Sequence, residues 1–539
     1  MNPNRRQFIY LPIAFALVLI AGIFLGTKLY KVALLNNNAF LNFKTGSTNT
    51  ISDVINYINQ DYVDSISKKQ LQESAIKGLL ESLDPHSMFI PAAEFKEAND
   101  PLMGNFDGIG VQFRIERDTV AVINTVSGGP SEKVGILAGD RIAKVDGKPL
   151  TGKKVTNEIV MKALKGERGT VVNVSIFRRG QRKLIDFKIV RDVIPTYSID
   201  ISYPVNSTTG YIKLSKFSAT TADELSQSLT ELSNKGIHKL ILDLRGNSGG
   251  YLQAAIAVAD QFLKDKKLIV YTEGHNRPRN YAYATKEGQW ENNALVVLID
   301  EGSASAAEIV AGALQDNDRC MVVGRRSFGK GLVQEQLNLR DGSAIRLTVA
   351  RYYTPTGRCI QKPYNNGSEE YYGEYYHRFT DGELESSDSI KFADSLKFKT
   401  PGGKTVYGGG GIMPDVFIPI EKDLKLKYYN EAVNKGTLYQ FAFDYTDANR
   451  KRLKGFGSFD AFDRNFKVDQ TVFDAFVAYA AKEDIKGDRE SIAIARPRIE
   501  GLLKALIARN IYDDKGFYPI YLRSDKTFIS AIQILKKEK

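Results

Sequence analysis

The sequence predicts a multidomain α+β protein, and three observations carry that prediction. Residues 106–190 break into short β-rich runs separated by glycine turns. Residues 196–355 alternate strand-like apolar runs with helical stretches, the pattern of an α/β layered core. Helical periodicity flanks both, over Ile51 to Leu83 and again after about residue 421. At 539 residues, the chain is long enough for roughly three or four domains of about 100–200 residues each.

Taken in order, residues 1–7 read as a cytoplasmic N-terminus and 8–27 as a transmembrane anchor. No charge interrupts residues 8 to 25. At about 1.5 Å per residue the stretch just crosses a hydrocarbon core of about 30 Å. Arg5 and Arg6 precede it, which places the N-terminus inside and the rest of the chain on the far side. No clear small-residue cleavage signal follows, so the segment reads as an uncleaved anchor. Residues 28–50 read as a linker, with an Asn/Thr/Gly/Ser-rich run over 31–50. In 51–105, Val54, Ile55, Ile58, Leu71, Ala75, Leu79 and Leu80 recur at helical spacing, and Pro85 stops the pattern.

In 106–190 the strands are Val111–Ile115, Val120–Val126, Arg141–Val145, Val171–Phe177 and Leu184–Val190. Short helices fit Pro130–Val134 and Asn157–Leu164. In 191–420 the strands are Gly210–Leu214, Lys239–Leu244, Leu268–Thr272, Ala294–Ile299, Met321–Val323 and Ala344–Ala350. Helices fit Ala222–Ser233, Tyr251–Phe262 and Ala306–Gln315. Residues 362–400, rich in tyrosine and acids without a period, read as an inserted loop. In 421–539, Phe473–Ala481 and Ile499–Ala508 are the clearest helices.

Composition narrows the function. The net charge of +11 is dispersed, with no Lys/Arg block interleaved with aromatics, so no nucleic-acid partner is expected. Two cysteines, Cys320 and Cys359, exclude a disulfide framework. His86, His238, His275 and His377 are scattered, and no metal or cofactor is expected.

The chemistry concentrates in two segments. Ser305 lies in Gly302-Ser303-Ala304-Ser305-Ala306-Ala307-Glu308, at a strand-to-helix turn, and Lys330 in Ser327-Phe328-Gly329-Lys330-Gly331. A serine needs a base to take its proton, and a lysine serves when burial lowers its pKa from about 10.4. Gln334 follows Lys330 at the spacing to hold its amine. The Ala306 N–H at the helix start is free to bind an oxyanion. Gly249 and Gly250, in the loop Gly246-Asn247-Ser248-Gly249-Gly250, supply a second donor. Against this stand blander readings: Ser303 as a helix cap and Lys330 as a solvated side chain. Gly324 to Lys330 also mimics a phosphate-binding loop, but Gly331 stands where Ser or Thr would hold Mg²⁺. No G-x-S-x-G elbow is present, and no histidine lies in a motif that would bring it to Ser305. Gly108-Ile109-Gly110-Val111 opens a strand with a glycine loop, suited to a peptide's terminal carboxylate and to an added peptide strand, or else a plain turn.

These segments, with Leu83-Asp84-Pro85-His86-Ser87, Phe106-Asp107-Gly108-Ile109-Gly110, Gly139-Asp140-Arg141-Ile142, Asp243 to Gly250, Tyr353-Thr354-Pro355-Thr356-Gly357-Arg358 and Gly411-Ile412-Met413-Pro414-Asp415, follow one order. In that order the chain resembles the C-terminal processing peptidases, serine peptidase family S41, from about Ile51 to Pro419. The resemblance implies Ser305 as nucleophile, Lys330 as general base and Gln334 as the residue orienting it. It implies a PDZ domain over 106–190 that captures substrate C-termini and gates a crotonase/ClpP-like Ser–Lys protease core over 191–420. It implies an endopeptidase in the periplasm, anchored in a bacterial inner membrane, acting on envelope proteins with free C-termini. Homo-oligomerisation stays open. Ser248 stands where the family often has proline. The alternative from another class is a catalytically inactive PDZ-type scaffold or holdase. Residues 421–539 match nothing in that family's pattern.

Overall fold

The computed structural model describes residues 14–28, 50–421 and 424–538. Contacts divide the chain into two compact units, residues 1–75 and 76–539. In the first, residues 14–28 and Thr50–Asp61 are helical. Residues 8–13 of the expected anchor lie outside the described residues. Among the described residues no helix is long and apolar enough to cross a membrane.

Within the second unit, residues 105–195 form a β-rich domain. Strands Val111–Glu116, Thr119–Thr125, Arg141–Val145, Val171–Phe177 and Ile185–Val190 pair antiparallel, with Val111–Glu116 at one edge. Val120, Val122, Ile142, Val172, Val174 and Ile176 alternate inward to make its core with Val160 and Leu164 of the helix Asn157–Leu164. The domain joins the rest of the chain through a two-stranded strap, Asn105–Gly108 against Asp192–Pro195.

The central sheet runs Ile199–Pro204, Thr209–Leu214, Lys239–Asp243, Ala294–Ile299, Met321–Gly324, Val416–Phe417, parallel after the first antiparallel pair. Its inner strands Lys239–Asp243, Ala294–Ile299 and Met321–Gly324 are nearly continuous apolar runs because both faces are covered. Leu240, Leu242, Val297 and Ile299 face the helices Thr221–Ser233, Leu252–Asp260 and Ala306–Asp316. Ile241, Val296 and Leu298 face Leu522, Phe528, Ala531 and Leu535. The last helix, Lys526–Lys537, therefore completes the core of this sheet rather than the helical region before it. That region, about 427–521, has its own core, including Phe441, Phe462, Phe476, Leu503 and Leu506.

A second sheet contains Met88–Ile90, Ala344–Tyr353, Leu268–Gly274 and Arg277–Tyr283, with Leu332–Asn338 also paired to Ala344–Tyr353. The expected loop over 362–400 is corrected. It contains a helix, Ser368–Thr380, short helical turns and the strand Lys397–Lys399. Its period was hidden because the buried face carries Tyr371 and Arg378 instead of aliphatic residues.

Candidate active site

Three loops leave the same edge of the central sheet, after Asp243, Ile299 and Gly324. The register aligns Asp243 with Leu298 and Ile299 with Gly324, so the loops emerge side by side. The carboxyl edge of a parallel sheet is where such folds gather their chemistry. Here it gathers the glycine loop 246–250, the Ser305 turn and the Lys330 loop.

The loops are stitched together. Ser303 Oγ donates to Leu244 O at 2.9 Å, the Gly246 N–H to Asp300 Oδ1 at 2.8 Å and the Ala304 N–H to Asn247 O at 2.9 Å. The Phe328 N–H donates to Ser303 O at 2.9 Å. Ser303 is thus a loop tie, and Ser305 itself stands at the N-cap of Ala306–Asp316. Ser305 has φ 53° and ψ −112°, a conformation non-glycine residues rarely hold. Strain of that kind persists only where surrounding contacts over-determine it.

The chief of those contacts is Glu308, a fully buried residue whose place early in a helix marks it in the sequence as no more than an ordinary capping residue. Its carboxylate accepts from the Ser305 N–H at 2.8 Å, the Lys330 N–H at 2.9 Å, the Gly329 N–H at 2.7 Å and Ser327 Oγ at 2.5 Å. One carboxylate thus holds the backbones of both predicted dyad members. Burial pushes its pKa up, against the pull of those four hydrogen bonds. Tyr352 Oη repeats the tie, 3.1 Å from Ser305 O and 2.5 Å from Lys330 O. The phosphate-loop resemblance fails on the same facts. The N–H groups of Gly329 and Lys330 are spent on Glu308, and that of Gly331 on Gln361 Oε1.

The Lys330 side chain is half-buried, and its amine donates to Gln334 Oε1 at 3.2 Å. Burial lowers its pKa, with Asp84 and Glu308 opposing. Gln334 is oriented in turn, its amide donating to His86 O. The Leu83–Ser87 segment is fixed by Asp84, which accepts from the N–H groups of His86 and Ser87 and from Ser87 Oγ at 2.6 Å. Burial pushes the Asp84 carboxyl up, but these bonds and Thr348 outweigh it and leave it below the usual value. The His86 ring lies 3.0 Å from Tyr371 Oη through Nε2. Burial, then the nearby Lys330, push its pKa down to about 4, so it is neutral near pH 7. One histidine therefore does reach the surroundings of Lys330, through its backbone carbonyl and Gln334. Among the described residues no group of His, Cys, Asp and Glu forms a metal site.

The helix Ser368–Thr380 braces the lysine loop. Arg378 donates to Ser327 O at 2.9 Å and Phe328 O at 3.2 Å. Glu374 pairs with Lys362, Arg378 and Arg326 at 2.7, 3.0 and 3.1 Å. Burial pushes the Glu374 carboxyl up, but Arg378, Lys362 and Arg326 outweigh it and hold it at about 2. The Lys362 amine stands 4.2 Å from the ring centres of both Phe328 and Tyr371.

The glycine loop divides its roles. The Gly249 N–H donates to Asn247 Oδ1 at 2.8 Å, so Gly249 offers space rather than a donor. A Cβ there would stand 2.8 Å from Ser305 Cβ and 3.0 Å from Ala306 N. The N–H groups of Ala306 and Gly250 make no backbone hydrogen bond among the described residues. In the β-rich domain, Gly108 pairs with Asp192 in the strap. Ile109 is buried, and its carbonyl accepts from the Ser131 N–H at 3.0 Å and Ser131 Oγ at 2.6 Å. Gly110 has φ 71°. Val111 begins a strand paired on one side only.

Comparison with known proteins places these parts. Residues 208–367 match the model of peptidase family S41, and 108–189 the PDZ domain model. Residues 428–513 match a family of unknown function. A carboxy-terminal-processing protease of Bartonella bacilliformis is 38% identical over 64% of this chain and 79% of its own. The carboxy-terminal processing protease CtpA of Bacillus subtilis is 34% identical over 60% and 70%. Among solved structures, the photosystem II D1 C-terminal processing protease aligns with 26% identity and a TM-score of 0.36, covering 71% of this chain and 90% of that one. The two family models cover the β-rich domain and most of the sheet that carries Ser305, and the Bartonella relative is matched over 79% of its length, which makes this chain a serine peptidase of family S41, the carboxy-terminal processing proteases.

Proposed function

We propose that the chain is an endopeptidase in which Ser305 is the nucleophile and Lys330 its general base. The observation that carries this reading is the Glu308 carboxylate, which ties the strained Ser305 turn to a lysine whose pKa burial lowers. Neutral Lys330 takes the proton from Ser305 Oγ as the oxygen attacks the scissile carbonyl. The oxyanion receives the Ala306 N–H at the positive end of its helix, with Gly250 as the second donor. The ammonium then gives its proton to the leaving amine, and water, deprotonated by Lys330, releases the acyl group. Gln334 holds the amine in place throughout.

The PDZ domain captures the substrate. The free edge of Val111–Glu116 accepts an extended C-terminal segment, and the Gly108–Val111 turn receives the carboxylate. The proposed substrates are envelope proteins with free C-termini. The proposed location is the periplasmic face of a bacterial inner membrane, held by residues 8–27. Fractionation of the full chain against a chain lacking residues 1–28 tests the anchor, which predicts release of the truncated form.

The test of the chemistry is cleavage of an unfolded protein ending in apolar residues, followed by mass spectrometry. Wild type is expected to cleave in the presence of a chelator, and Ser305→Ala not at all. A wild type that binds the same C-terminus without cleavage, and does not react with a serine-directed probe at Ser305, would establish the scaffold reading instead.

A further inference from the structure

We propose that the helical module of residues 427–521 is the docking station of the PDZ domain, fixing where the substrate-capturing strand stands. The proposal rests on the proposed capture of substrate by that domain. Five contacts carry it. Arg117 pairs with Asp444 at 3.0 Å and donates to Tyr479 Oη at 2.7 Å. Arg179 reaches Asp447 at 3.4 Å. Arg114 lies 5.1 Å from the ring centre of Tyr439, and Arg141 lies 5.6 Å from that of Phe443.

The module's contribution comes mainly from one helix, Thr437–Lys454. Tyr439, Phe443, Asp447 and Arg450 recur at helical spacing and form one stripe, with Asp444 beside it. Gly139 packs into that stripe, where an added Cβ would meet Asp447 and Arg450. The PDZ contribution is four arginines from separate strands and turns, one of them on Val111–Glu116, the strand proposed to accept the peptide. Beyond its strap and Lys165, which pairs with Asp100 at 3.3 Å, the PDZ domain makes its ion pairs and ring contacts outside itself with this module, among the described residues. None joins it to the catalytic loops.

The interface is built to be separable. Arg117 and Arg179 each remain 62% exposed. A cavity of about 460 Å³ between the two parts is lined by Arg141, Phe177, Arg179, Asp444 and Asp447. Exposed ion pairs and cation–π contacts are weak and salt-screened. Without them the PDZ domain would hang on its strap and sample many positions. The effective concentration of a captured C-terminus at Ser305 would then fall.

The experiment uses the full chain, the double variant Asp444→Arg/Asp447→Arg, the single variant Asp444→Arg, and the exchanged pair Arg117→Asp/Asp444→Arg. Amide hydrogen exchange and cleavage kinetics are measured on each. The dock predicts that the double variant speeds exchange over 111–117 and 437–450 by about tenfold, with residues 239–243 unchanged. KM for a substrate with a free C-terminus rises about fivefold, while labelling of Ser305 by a serine-directed probe is unchanged. The exchanged pair moves both values from those of Asp444→Arg back toward wild type. Exchange that stays at the wild-type rate overturns the dock, as does faster exchange with KM unchanged or lowered, or an exchanged pair no better than Asp444→Arg alone. If the double variant fails to fold, exchange also speeds at 239–243. The same tests on wild type at raised salt then decide, with faster exchange over 111–117 and a raised KM expected and no change overturning the dock. The exchange arm needs no catalysis, so a wild type that never cleaves would remove the proposed function and leave the dock standing.

Discussion

The catalytic loops and the PDZ dock are both held by charge, but by charge in opposite environments. Glu308 is fully buried and spends its carboxylate on four donors. Arg117 and Arg179, on the dock, are mostly in water. A buried carboxylate with matched donors is costly to disturb, because any donor left over stays unsatisfied. An exposed pair gives way for little, because water replaces the partner. The difference teaches which parts of the molecule are costly to displace and which are not: the frame around Ser305 and Lys330 is held by buried bonds, and the PDZ domain by exposed ones.

The comparison predicts a ladder of effects. Ser305→Ala should abolish cleavage and leave thermal stability near wild type, since the clamp on its N–H is to the backbone. Lys330→Ala should cost about 10²–10⁴ in kcat, the usual worth of a positioned base. Glu308→Gln comes next. Its amide presents N–H where N–H groups already point, so it should lose about 2–3 kcal/mol in denaturant unfolding. It should also slow Ser305 labelling by at least about tenfold, as both loops relax. At the small end, Arg117→Ala should cost less than about 1 kcal/mol, and the effect should shrink with salt. Equal losses for Glu308→Gln and Arg117→Ala would erase the distinction between the two regions.

Acid should act on the rigid region. His86 has its pKa lowered to about 4 from 6.5, chiefly by burial. Between those values the unfolded chain binds a proton that the folded one refuses. Stability should therefore fall as pH drops from about 6.5 toward about 4. His86→Gln should flatten that part of the curve, measured as unfolding midpoint against pH.

Much of this was legible in the sequence where apolar period and local chemistry agree. The strands Arg141–Val145, Val171–Phe177 and Ala294–Ile299 lie where the apolar runs put them, as does the helix Asn157–Leu164. The loops of Ser305 and Lys330 could be aligned because each follows a buried parallel strand. Glu308 was overlooked because a carboxylate early in a helix reads as an ordinary capping residue. Only the tertiary return of residues 327–330 shows that it serves two loops. Gly249 looked like a donor because a glycine loop exposes N–H groups, and Asn247 folding back on it is a local contact no periodicity reveals. The helix Ser368–Thr380 was hidden because it packs by ion pairs, with Glu374 and Arg378 in place of apolar side chains. The dock stripe on Thr437–Lys454 mixes tyrosine, phenylalanine and aspartate, which reads as an ordinary amphipathic surface until the arginines opposite are placed.

The most direct test of the dyad is the rate at which a serine-directed probe acylates Ser305, followed from about pH 6 to about pH 10 in wild type and Lys330→Arg. The proposed mechanism makes the neutral lysine the active form, so the wild-type rate should climb with pH to a plateau, with its midpoint below the ordinary lysine value of 10.5. Lys330→Arg should react about 10²–10⁴ more slowly and show no such climb at any of these pH values, because a guanidinium keeps its proton. A variant that labels as fast as wild type, with the same pH profile, would contradict Lys330 as the base.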